Sequence, residues 1–216
     1  MNLYDHATIA LMSDHGEEFY EHRDWAHSHS LYDELIRVPV LIKFPGNRFK
    51  NTRVKEAVGL IDLLPTLLSY YGIPFKGAEI DGIDLMPLVK KKKSRGRRDY
   101  VISSISTGKY FAAFPTRIAL LFNDYKLVYN EPFGQEDLER FKAYALPPQP
   151  PRWELYHLGD DLAETRNIAA AHSQIKEKMM PVIMKIRKLI LQKTLKNKKK
   201  SIDAEVKKQL ESLGYL

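Results

Sequence analysis

The chain has 216 residues, with 34 lysines and arginines against 27 aspartates and glutamates, and no cysteine. That length gives room for one to two domains with a sizeable core, and a composition of 44% hydrophobic and 28% charged residues excludes wholesale disorder. Without cysteine there is no disulfide, thiolate metal site or thiol nucleophile, and no apolar run approaches the ~18 residues of a membrane helix. The first residues, Met1 to His6, lack the basic flank, apolar stretch and small-residue cleavage site of a signal peptide, so the compartment stays open. The net charge of +7 is uneven. Lys90 to Arg98 and Lys193 to Lys200 together carry more than all of it, and the remaining body is mildly acidic. A basic module for nucleic acid or anionic membrane is one reading of these runs. They lack interleaved aromatics and flank an acidic body, which favours solvated surface instead.

Taken in order, Ala7 to Met12 is a short apolar run ended by Ser13-Asp14-His15-Gly16. Such a run predicts a strand buried on both faces, as in a parallel sheet. Val38 to Phe44 is a second, closed by Pro45-Gly46, with Pro39 restricted to the strand's start or an edge. A polar segment rich in His and Glu, Glu17 to Glu34, lies between them. A helix is expected from Leu63 to Tyr71, with Asp62 as N-cap, Pro65 in the first turn, and Gly72 and Pro74 as the stop. After the first basic run come four strand-like pieces: Val101 to Ile105, Arg117 to Phe122, Tyr125 to Tyr129 and Trp153 to Leu158. Asn123-Asp124 joins the middle two as a hairpin without the favoured glycine. The stretch from Glu131 to Pro151 reads as loop, ending in a stiff Pro-rich connector. From Ser173, Ile175, Met179, Val182, Ile183, Ile186 and Ile190 recur at helical spacing, and Pro181 predicts a kink. The boundaries expected are a catalytic α/β part over 1–98 and an α+β subdomain with a terminal helix over 99–216.

Ligands of open α/β sheets bind beyond the carboxyl ends of the strands, where Asp14 and His15 fall. Both can reach one ion only if the strand has ended, and Gly16 allows that bend. One carboxylate and one imidazole suit manganese, zinc or calcium. From the tetrapeptide alone, simple capping of the next segment is the favoured alternative. His22, His27 and His29 follow closely and make a dense cluster of groups able to hold a proton near neutrality.

The stretch SDHGEEFYEHRDWAHSHSLYDELIRVPVLIKFPG, Ser13 to Gly46, resembles the sulfatase family of the alkaline-phosphatase-like superfamily. Four further blocks resemble it in order: LIDLLPTLLSYYGIP from Leu60, GIDLMPLV from Gly82, WELYHLGDDLAETRNIAA from Trp153, and the ending ESLGYL. Asp84 stands where the family has Ser, and His157 where it has Asp. The resemblance implies a partial alkaline-phosphatase-like sandwich with a mostly parallel sheet, then a small antiparallel sheet and a long helix. It implies that Asp14 and His15 are ligands of a divalent cation, usually calcium. Counting back from Arg37, the family's Lys or His on the sulfate and leaving-group oxygen falls at Ser28, with His27 and His29 on either side. His27 is the first choice for that role and His29 the second; His22 is read as a loop or supporting residue.

The family's nucleophile, a formylglycine made in a Cys/Ser-x-Pro/Ala-x-Arg motif, has no counterpart here: neither Ser103, Ser104 nor Ser106, nor Ser94-Arg95-Gly96-Arg97, fits it. The expectation is therefore the C-terminal part of a sulfate-ester hydrolase, inactive alone, completed by an N-terminal half or prone to self-association through uncovered apolar surface. A phosphodiesterase or phosphonate hydrolase of the same superfamily is the alternative within enzymes.

Overall fold

A computed structural model describes residues 3–76, 80–91, 98–105, 115–135 and 149–197. Several sequence features therefore lie outside the described residues: most of the first basic run with Ser94 to Arg97, Ser106, the Pro147-Pro148 pair, Lys198 to Lys200 and the final ESLGYL block. The side chains of Lys193 and Lys196 are likewise not described. Two compact units result, one comprising 1–27 and 33–102 and the other 28–32 and 103–216.

In the first unit a one-turn helix α1 (Leu3–His6) precedes strand β1 (Ile9–Met12), which pairs with β4 (Val40–Lys43). Between them lie the two-residue strands β2 (Glu18–Phe19) and β3 (Trp25–Ala26), which pair with each other, and the single turn α2 (Asp33–Ile36). The β1–β4 ladder corrects the sequence reading twice. It is antiparallel, Met12 opposite Val40 and Ile9 opposite Lys43. The intervening segment returns to the end of β1 that it left, whereas a parallel partner needs a crossover to the other end. Nor are its faces buried, because Leu11 and Leu41, directly opposite each other, are 64% and 58% exposed.

Helix α3 (Leu63–Tyr71) has the span expected and ends as its sequence dictates, with Gly72 at φ 67° donating its N–H to the carbonyls of Leu68 and Ser69. Its start differs. Asp62 is in a helical conformation within a 3-10 turn, Leu60–Asp62, and makes no cap bond to α3. Its buried carboxylate instead accepts from the N–H groups of Gly59 and Ile83 and pairs with Arg98. Arg98 is thus the anchored end of a run read as solvated. A short helix α4 (Met86–Val89) follows, with Asp84 accepting from Ser69 Oγ at 2.7 Å.

The second unit is built on the sheet β5 (Val101–Ile105, of which 103–105 belong to this unit), β6 (Arg117–Phe122), β7 (Tyr125–Asn130) and β8 (Trp153–His157), ordered as in sequence. The pairs β6–β7 and β7–β8 are antiparallel. Asn123-Asp124 forms the two-residue turn, with Asn123 at φ 51°. Helix α5 (Ser173–Asn197) continues on both sides of Pro181 and packs on β6 and β7. Ile118, Leu127, Leu155 and Ile183 are fully buried between sheet and helix. Lys126 and Glu164 form a buried ion pair, Nζ lying 2.7 and 2.9 Å from the two carboxylate oxygens.

Candidate functional site

The site grows from the end of β1, where the strand stops at Met12 and the chain turns through Ser13, Asp14 and His15. Ser13 Oγ donates to the His15 carbonyl at 2.5 Å, and Asp14 Oδ1 accepts the His15 N–H at 3.1 Å. Gly16 is needed for close approach: a Cβ there would stand 1.9 Å from the Glu34 carbonyl oxygen. Its N–H donates to the Leu35 carbonyl, tying the turn to α2. This turn frees Asp14 and His15 from the alternation of a strand, so their side chains converge. Asp14 Oδ1 and His15 Nε2 are 3.8 Å apart.

The imidazole of His15 is fixed by its other nitrogen. Nδ1 lies 2.9 Å from the Gly16 carbonyl, which can only accept, so Nδ1 carries the hydrogen and Nε2 presents its lone pair. His27 is held the same way, with Nδ1 donating to Glu17 Oε1 at 2.6 Å, and its ring stacks on that of His15 with centroids 4.0 Å apart. Both rings are partly exposed, as is Glu17.

The loop that delivers His27 is under local strain. Tyr20, Arg23 and Ala26 all have left-handed φ, at 81°, 71° and 69°. Each costs a non-glycine residue about 1–2 kcal/mol. Fully buried Glu18 offsets this by accepting the N–H groups of His22 and Asp24 at 2.9 and 2.8 Å. His22 Nδ1 donates to Glu34 Oε1 at 2.5 Å. Donor atoms of two trios lie close enough for a cation, His15–Glu17–His27 and Glu18–His22–Glu34. The second trio is engaged in pinning the loop.

Asp14, His15 and His27 are thus together in the first unit. His29 belongs to the second unit and is 7% exposed. There Tyr32, at the end of the same short segment, donates to Glu154 Oε2 at 2.8 Å, and Tyr156 donates to the same oxygen at 2.5 Å. Asn130 Nδ2 donates to the other oxygen. Burial and the Glu154 carboxylate push both tyrosine hydroxyls far above their ordinary range, so they stay protonated donors. Glu17 was present in the sequence block but carried no assigned role, because its bond to His27 depends on a loop whose path the sequence does not state.

A family model described as the C-terminal portion of N-sulphoglucosamine sulphohydrolase matches residues 20–195. The chain belongs to this sulfatase family. Arylsulfatase K of Rattus norvegicus is 36% identical over 88 residues, which cover 41% of the chain and 15% of that protein. Among solved structures, one determined with its substrate D-glucosamine-2-N,6-O-disulfate superposes with a TM-score of 0.61 at 20% identity, covering 85% of the chain and 34% of that protein. The phosphonate monoester hydrolase of Agrobacterium radiobacter gives 0.65 at 18%, covering 87% of the chain and 36% of that protein. These two share the alkaline-phosphatase-like fold. The sulfatase C-terminal portion therefore spans well under two thirds of the proteins it matches.

A divalent metal ion is implied by the family. The donor set at the β1 turn fits one: a carboxylate oxygen and an imidazole nitrogen face each other, and the imidazole is locked in the tautomer that exposes Nε2.

Proposed function

We propose that this chain forms the C-terminal portion of a metal-dependent sulfate-ester hydrolase, with Asp14 and His15 holding one side of the cation. His27, ahead of His29, serves the anion or the departing oxygen. The observation that carries this reading is the stacked pair of imidazoles, His15 beside Asp14 and His27 on the His15 ring, each with Nδ1 tied down and Nε2 open. When bound, a divalent cation polarises an oxygen of the transferred group and neutralises part of its charge. Asp14 contributes a hard oxygen and His15 a borderline nitrogen, so calcium, manganese and zinc all suit the pair. In its protonated form His27 donates from Nε2 to an anionic or leaving-group oxygen, while Glu17 keeps its ring oriented.

Sulfate is preferred to phosphate or phosphonate because the family model and the curated relatives are sulfatases. The fold alone is shared with a phosphonate monoester hydrolase. The chain contains no cysteine and no Cys/Ser-x-Pro/Ala-x-Arg segment, so the nucleophile is to come from elsewhere. Calorimetric titration with calcium, manganese or zinc is expected to give weak binding, because two ligands make a poor site. Asp14→Ala should weaken it at least tenfold, and the chain alone should not turn over an aryl sulfate with added calcium. Unchanged binding in Asp14→Ala would sink the metal assignment, and turnover lost in that variant would sink the claim of inactivity.

A further inference from the structure

The second unit holds a polar pocket that the site above does not use. Tyr125 at the start of β7 faces His157 at the end of β8, and their rings lie 4.6 Å apart. Beyond His157 the chain turns tightly. His157 Nδ1 donates to Asp160 Oδ2 at 2.7 Å, which leaves Nε2 as its open position. A Cβ at Gly159 would stand 3.1 Å from His157 Cε1, so this turn is packed against the ring. Arg166, Ile168 and His172 complete the lining of an open depression of about 400 Å³.

The charges in this pocket are unequally committed. Asp160 is engaged by His157. Asp161, the nearby carboxylate, accepts from the Thr165 and Arg166 N–H groups and from Thr165 Oγ1, all within 3.1 Å, and so is spent on its own loop. Arg166 is exposed, and its charge helps to hold Asp161 ionised, but no side-chain hydrogen bond ties its guanidinium down among the described residues. A turn-closing role accounts for His157 and Asp160 but not for Arg166 and His172 lining the same space.

We propose that this pocket binds an anionic saccharide unit. Its sulfate or carboxylate engages the guanidinium fork of Arg166 with His172 beside it, and its ring lies against the Tyr125–His157 pair and Ile168. A bare inorganic anion would fill a small part of the depression and leave the aromatic pair and Ile168 unused. Pockets for drug-sized ligands run roughly 300–1,000 Å³, so the depression has room for a single sugar ring. The inference goes beyond the hydrolase reading and does not depend on the cation site.

The test follows the imidazole NMR signals of His157 and His172 in the full chain during titration with N-acetylglucosamine 6-sulfate. Parallel titrations use N-acetylglucosamine and sodium sulfate. Local signals exclude unspecific binding to the lysine-rich segments. Saturable shifts of both imidazoles are expected, at least fivefold tighter for the sulfated sugar than for either control. Arg166→Ala should raise its apparent Kd at least tenfold with an unchanged melt, His172→Gln less, and Asp14→Ala should change it by under twofold. Absent shifts, an unaffected Arg166→Ala, or an equal response to sulfate or to the neutral sugar would each overturn the proposal.

Discussion

The two units bury their apolar residues very differently. In the second, Ile118, Leu127 and Leu155 on three adjacent strands and Ile183 on α5 are inaccessible to solvent. In the first, β1 and β4 have equally apolar sequences, yet Ile9, Leu11, Val40 and Leu41 are all exposed. Sequence hydrophobicity is the same signal in both; among the described residues the second has a helix packed on its sheet, whereas β1 and β4 keep their apolar side chains exposed. An apolar strand specifies that it must be covered, not by what. The pair that carries the candidate ligands is therefore the less supported part of the chain, and hydrogen bonds rather than apolar burial fix Asp14 to His27.

The largest expected effect breaks or sharpens this contrast directly. Leu155→Ala opens a cavity under α5 and should cost the second unit about 2–5 kcal/mol. Leu11→Ser removes only a solvated side chain and should change stability by no more than about 0.5 kcal/mol. Denaturant melts, with hydrogen exchange read separately in the two units, measure both. A Leu11→Ser variant as damaged as Leu155→Ala would mean that the β1–β4 face is covered in solution.

The second unit was also the more legible. All four strand-like pieces read from the sequence are strands, and the Asn123-Asp124 turn joins the middle two as expected, because a hairpin records its own register locally. Helix α3 was equally readable from Pro65 and Gly72, again through local chemistry. The β1–β4 pairing was not readable, since direction depends on where a long connection returns. Asp62 was misassigned for a related reason. An acidic residue before a helix looks like a cap, whereas its real partners, Ile83 and Arg98, are distant in sequence. At the candidate site, Asp14 and His15 were legible as a strand-end pair. Glu17, Glu18 and Glu34 were not, because their work is to hold a loop whose left-handed residues Tyr20, Arg23 and Ala26 break local preference.

An intermediate effect is expected from acid. Burial pushes Asp62 up, but hydrogen bonds from Arg98 and from the Ile83 and Gly59 N–H groups outweigh it and hold the carboxyl below its usual range. A folded-state value below the unfolded one gives stability that is complete above the unfolded value and is lost as pH falls through the folded one. The first unit should therefore weaken on acidification below the ordinary carboxylate range. Asp62→Asn should cost about 1.5–3 kcal/mol at neutral pH, the scale of a charged hydrogen bond, and should flatten that acid limb. An acid limb as steep in Asp62→Asn as in the parent would assign the pH dependence to other groups.

The smallest effect separates the ways in which the two units tolerate left-handed backbone. Asn123 is suited to φ 51° by its short polar side chain, so Asn123→Ala should cost the second unit about 1 kcal/mol. Ala26 has no such excuse at φ 69°. Glycine there removes a cost of about 1–2 kcal/mol and adds back roughly 0.5–1 kcal/mol of chain entropy in the unfolded state. Ala26→Gly should thus leave the first unit as stable as before or up to about 1.5 kcal/mol more stable. If rigidity at Ala26 is what aims His27, the same change should broaden the His27 imidazole resonance while the melt holds or rises. A variant that gains stability with an unchanged His27 signal would show that Glu17 and the stacked His15 ring suffice to hold the imidazole, and that the strained loop serves only to bring it there.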